Sequence, residues 1–150
     1  MDIDLILAVA HHLAVFTLVA LLSAEFALLR PGLEGARIGQ LAGIDAAYGA
    51  VAGIVVVVGV LRVMFGAAGW GYYASNHVFW GKMGAFLIMG LLTIPPTMAM
   101  RKWAKASKAD ARYVVPPGEI AVNRRFVHLQ AGFLVLIPIF AAAMARGYGS

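Results

Sequence analysis

The sequence predicts an all-α integral membrane protein, an up-down-up-down four-helix bundle with both termini outside. Three observations carry that expectation. The chain is 62% hydrophobic and only 13% charged, with a mean hydropathy of +0.85, far from soluble composition. Four apolar stretches, 5–29, 41–65, 79–100 and 126–145, each reach the roughly 20 residues that cross ~30 Å of hydrocarbon. The connections are short, so neighbouring spans run antiparallel, whereas a closed barrel needs much shorter alternating segments. One transmembrane domain, 1–150, accounts for the chain.

Span one follows Asp2 and Asp4 where a signal peptide would carry basic residues, and its apolar run is too long for a signal h-region, so it is expected to stay in the mature protein. His11 and His12 lie about 9 to 11 Å from its outer end at ~1.5 Å per residue. Adjacent helical residues point about 100° apart, so at most one of the two faces the bundle axis. Glu25 returns to nearly the face of His11, about 21 Å deeper. Span two carries Asp45 and Tyr48 near its inner end and Arg62 near its outer end, with Gly49 and Gly53 in a GxxxG spacing that suits close helix approach, in the bundle or between protomers.

The connection 66–78 is rich in glycine and aromatics and leads to Trp80, the pattern of an interfacial aromatic belt. Span three opens with His77 and Lys82, continues through Phe86, Met89 and Thr93 on one face, and ends near Pro95 and Pro96. The following loop starts as a basic helical extension and breaks at Pro116, Pro117 and Gly118. Span four begins with His128 and Gln130 and contains Pro138, which removes a backbone donor and should kink it.

Orientation follows from basic residues. Seven of the twelve Lys and Arg lie between spans three and four, and Arg30 and Arg37 lie between spans one and two. The positive-inside rule makes both loops, 30–40 and 101–125, cytoplasmic in a bacterial inner membrane. That topology, more than nucleic-acid binding, explains a net charge of +5. The expected surroundings are the lipid bilayer, with a homodimer or a larger membrane complex as possible partners.

Cysteine is absent, which excludes disulfides, thiolate metal sites and thiol nucleophiles. No HExxH, Walker loop, GxSxG or strand-borne GxGxxG occurs, so zinc-protease, nucleotide and serine-hydrolase chemistries have no support. What remains are ionisable residues at membrane depth, which mark function by default. They form an outer layer of His11, His12, Arg62 and Lys82, joined by His77, and an inner layer of Glu25, Asp45, Tyr48, His128 and Gln130.

A neutral imidazole is a good axial ligand for haem iron, and helix bundles hold porphyrins between facing helices. His11 or His12 would be the ligand and His77 a second one. Arg62 and Lys82 would pair with the propionates, and Trp80 and Phe86 would pack on the ring. The expected function is haem b or related tetrapyrrole binding near the outer face, for electron transfer or another redox role of oxidoreductase type. The alternative is a non-enzymatic small transporter or accessory subunit of a larger membrane complex.

The segments HHLAVF in span one, YG and GVLRV in span two, NHVFWGKM opening span three and LLTIPPT near its end resemble a family of uncharacterised four-span bacterial membrane proteins. More distantly, the layout is similar to the four-helix membrane protoporphyrinogen oxidase and the copper-resistance membrane domain. Those families also carry a His early in span one and a Lys opening a later span. The oxidase resemblance implies a b-type haem or porphyrin near His11 or His12, with Lys82 and Arg62 meeting its carboxylates. The copper resemblance implies His and Met ligands at the outer face, a third reading that Met64 and Met83 serve poorly because they are not clustered with His.

Overall fold

The computed structural model describes residues 2–66 and 68–149. Five helices follow in order: α1 (Ile3–Leu28), α2 (Ala36–Phe65), α3 (Gly69–Ser75), α4 (His77–Ala109) and α5 (Pro117–Ala145). All but α3 are long and apolar enough to cross a membrane. No strand occurs among the described residues; the nearest feature is an isolated antiparallel bridge between Glu34 and Val114.

Local chemistry explains where these helices begin. Asp2 caps α1 by accepting from the Leu5 amide, and Asn76 caps α4 by accepting from Phe79. Pro117 opens α5, where a missing N–H costs nothing. Gly35, at φ 56°, supplies the left-handed turn into α2. α4 runs through Pro95 and Pro96 and on past the end of the apolar run, so the basic extension is helical as far as Ala109.

The long helices run up-down-up-down as two hairpins. α1 packs mainly on α2 and α4 on α5; α2 meets α4 across the bundle, and the α1–α5 seam is slimmer. Both termini lie at the end that holds α3. Asp4 stands near Gly66, and the Gly149 carbonyl accepts from the His77 amide at 3.0 Å. The outer surface is apolar, with Phe16, Val57, Leu87 and Ile139 exposed, while Glu25, Asp45, Asn123 and Gln130 are buried inside. Hydrocarbon solvates the former and cannot solvate the latter.

Outward polar side chains are satisfied locally. Thr17 donates to the Leu13 carbonyl and Ser23 to that of Val19, each one turn back on the same helix. Gly49 and Gly53 face open space, with nothing within 4 Å of a Cβ built there. Close approach through the GxxxG spacing therefore does not occur inside this chain. α3 stands where the sequence suggests only an aromatic belt; it is held by the Tyr72 hydroxyl donating to the Met144 carbonyl at 3.1 Å.

Candidate functional site

Two polar groups occupy opposite ends of the bundle. At the α3 end, His11 of α1 is half-buried against α2, where a Cβ on Gly59 would stand 3.5 Å from its Cε1. That is ordinary van der Waals contact, so α1 and α2 pack closely at this point. The His11 Nδ1 is buried without a hydrogen-bond partner, as is Nε of Arg62. Arg62 of α2 and Lys82 of α4 both come within electrostatic reach of the imidazole. The Lys82 ammonium sits 5.4 Å from the centre of the Phe79 ring. Among the described residues the only ion pair is Lys102 with Glu119, so neither Arg62 nor Lys82 has a carboxylate within 4.0 Å. Three basic groups from three helices thus gather with no carboxylate of the described residues within 4.0 Å of Arg62 or Lys82, although Asp4 lies near Gly66, one turn from Arg62.

Of the other outer candidates, His12 and Trp80 border this group from the exposed side, the His12 ring meeting that of His11 edge-on at 6.4 Å and Trp80 packing on Phe79. His12 is exposed, and its Nδ1 donates to the Ala8 carbonyl at 2.7 Å, the same one-turn return that satisfies Thr17 and Ser23. His77 is exposed at the first turn of α4. Trp80 is exposed and donates from Nε1 to the Ala74 carbonyl. Phe86 is half-buried against the core.

At the opposite end the inner layer is real but differently composed. Glu25 and Tyr48 are each 1% exposed, Gln130 is 1% exposed and Asp45 is 5% exposed. Thr97 donates to Asp45 Oδ1 at 2.7 Å. Gln130 bridges α5 to α4 with both ends of its amide: Nε2 donates to the Leu92 carbonyl at 3.2 Å, and Oε1 lies 3.0 Å from the Thr93 hydroxyl. The Leu92 carbonyl is free because its helical partner four residues on is Pro96, which has no N–H. Proline thus creates an acceptor inside the bundle, and Gln130 takes it.

His128, expected in this layer from its depth, is exposed instead. Its Nδ1 bonds to the Arg124 carbonyl at 3.0 Å, and its ring meets Phe26 edge-on at 4.6 Å. Thr97 and the Leu92 carbonyl escape a search for ionisable residues. The signals for them were the spacing Met89, Thr93, Thr97 on one helical face and the proline at 96.

With no cluster of three or more His, Asp or Glu among the described residues, neither layer is a metal cage of side chains alone. A surface hollow of about 340 Å³, lined by Gly35, Gly39, Ala104 and Lys108, lies near the loop connections at the inner-layer end and touches neither group. The chain matches, over residues 3–149, the family described as "predicted membrane protein (DUF2214)", and it belongs to that family. No curated protein and no solved structure matches it.

Proposed function

We propose that the α3 end of the bundle binds a haem or related tetrapyrrole and serves a redox or electron-transfer role. The observation that carries this reading is the convergence of His11, Arg62 and Lys82, with neither cation in an ion pair among the described residues. A metal porphyrin with two propionates matches that donor set: one imidazole free of hydrogen bonds for the metal, and two cations for carboxylates. The orphaned Nδ1 of His11 and Nε of Arg62 are the groups such a ligand would satisfy. The distant likeness to the four-helix protoporphyrinogen oxidase supports the same assignment.

In this reading His11 holds the iron, and Arg62 and Lys82 orient the ring by its carboxylates. The bound group supplies one-electron chemistry. Orientation by the positive-inside rule puts this site on the outer side of a bacterial inner membrane. The test is an absorption spectrum of detergent-purified protein, oxidised and dithionite-reduced, with haem supplied during expression. A stoichiometric Soret band that His11→Ala removes and His12→Ala retains is the expected result. A colourless wild-type protein overturns the reading.

A second reading, an accessory subunit or self-associating component, is favoured by the open Gly49 and Gly53 face of α2. It predicts disulfide capture of a neighbouring chain through Gly53→Cys. Capture of no neighbour argues against it.

A further inference from the structure

We propose that Glu25 and Asp45 form a proton-binding site in the bundle interior, where the two carboxyl groups together hold one proton at neutral pH and Glu25 carries it. The site stands independently of any tetrapyrrole, since it lies at the other end of α1 from His11. Its ligand is a proton, and Glu25 stands one turn before α1 terminates at Leu28.

Four helices build the site, and their charged and titratable groups decide which carboxyl is neutral. α1 contributes Glu25, whose Oε2 is buried with no hydrogen-bond partner. α2 contributes Asp45 and Tyr48. α4 contributes Thr93, Thr97 and, toward the basic loop, Arg101, which lies within electrostatic reach of Asp45. α5 contributes the neutral amide of Gln130, while Arg124 is turned away, donating to the Leu29 carbonyl at 2.6 Å and lying over the Phe26 ring. His128 meets that ring edge-on.

Asp45 therefore has what an anion needs, a short hydroxyl donor and a guanidinium nearby. Glu25 has neither a donor nor a cation within 4.0 Å, and a bare carboxylate in such a place is prohibitively costly, so it takes a proton instead. Asp45 also acts electrostatically on Glu25, and a second negative charge in the same interior disfavours ionising both.

Tyr48 is the independent mark of a working site. Its hydroxyl is buried and without a partner, it faces both Glu25 and Asp45 closely enough to feel their charge, and it lies beside Thr93 without reaching hydrogen-bond geometry. A phenol both donates and accepts. Neither this hydroxyl nor Glu25 Oε2 has a partner as the bundle stands; a side-chain movement that joined them would let the phenol accept from the acid or donate to the carboxylate.

The measurement is infrared difference spectroscopy of the full chain in lipid nanodiscs, titrated with pH in sodium-free buffer and repeated with added sodium. A protonated-carboxyl C=O band at neutral pH is expected in the wild type. Glu25→Gln should abolish it, Asp45→Asn should keep it, and Tyr48→Phe should shift its frequency. Absence of the band in the wild type at neutral pH overturns the proposal, as does a band untouched by Glu25→Gln. Loss of the band on adding sodium overturns it too, because the ligand is then a metal cation.

Discussion

Both ends of the bundle bury unpartnered polar atoms, but only the end with the basic loops is closed beyond them by a network of bonded groups. Where α1 and α4 hand over to the basic loops, past the unpartnered Glu25 and Tyr48, the groups that close the end have partners. The Val115 amide donates to the Leu33 carbonyl at 3.0 Å, Arg124 closes the free end of α1 at Leu29, and the Trp103 indole donates to Glu119 Oε2 at 2.6 Å. Leu29, Leu33, Trp103 and Val115 are all fully buried there. At the α3 end, His11 and Arg62 keep buried nitrogens with nothing to bond. Bonding capacity used up internally makes a clamp; capacity left open is available to something else.

If that contrast is right, stability resides at the clamped end. Trp103 is 0% exposed, so Trp103→Ala should lose about 3–5 kcal/mol in reversible detergent unfolding, a range set by aromatic-to-alanine changes in cores. A loss well under that would mean the clamp is not where the fold is held. Gln130→Leu comes next. It frees the Leu92 carbonyl and the Thr93 hydroxyl, and interhelical hydrogen bonds in membranes contribute roughly 0.6 and at most about 1.7 kcal/mol; the same unfolding measurement should register a loss in that range.

The open end should respond the other way. Arg62→Leu removes a half-buried guanidinium whose buried Nε has no partner, so the ligand-free protein should unfold within about 0.5 kcal/mol of wild type or later, as expected where no buried hydrogen bond is lost. Haem retention should fall with it. A large destabilisation would show that Arg62 is part of the structural frame and would erase the contrast between the two ends.

The long helices were legible because hydrocarbon imposes length and composition on any segment that crosses it. Their depth also ordered the polar residues, and His11, Arg62 and Lys82 could be grouped by depth alone. Depth does not say which way a side chain points. His12 and His128 sit at plausible depths yet turn outward, because a side chain one turn after a carbonyl can satisfy itself on its own helix. α3 was not legible either: Gly69 and Gly71 weaken a seven-residue helix, and its anchor at Met144 lies far along the chain. The Leu92 carbonyl shows the reverse situation, a bonding site announced by a proline rather than by any polar residue.

The smallest effect tests whether the clamp has an exposed component. Glu119 lies at the rim, where the Trp103 indole N–H and then the Lys102 ammonium, 2.9 Å away, hold its carboxyl below the usual carboxylate range. A carboxyl with a lowered folded-state value contributes stability that is fully present above its unfolded value and is lost as pH falls through the folded one. Because the pair is open to water, its contribution is small and salt-weakened. Glu119→Gln should therefore leave stability at neutral pH nearly unchanged and flatten the acid side of the stability profile. An unaltered acid limb in the variant would mean that Trp103 holds this end by burial alone, with its indole hydrogen bond adding nothing measurable.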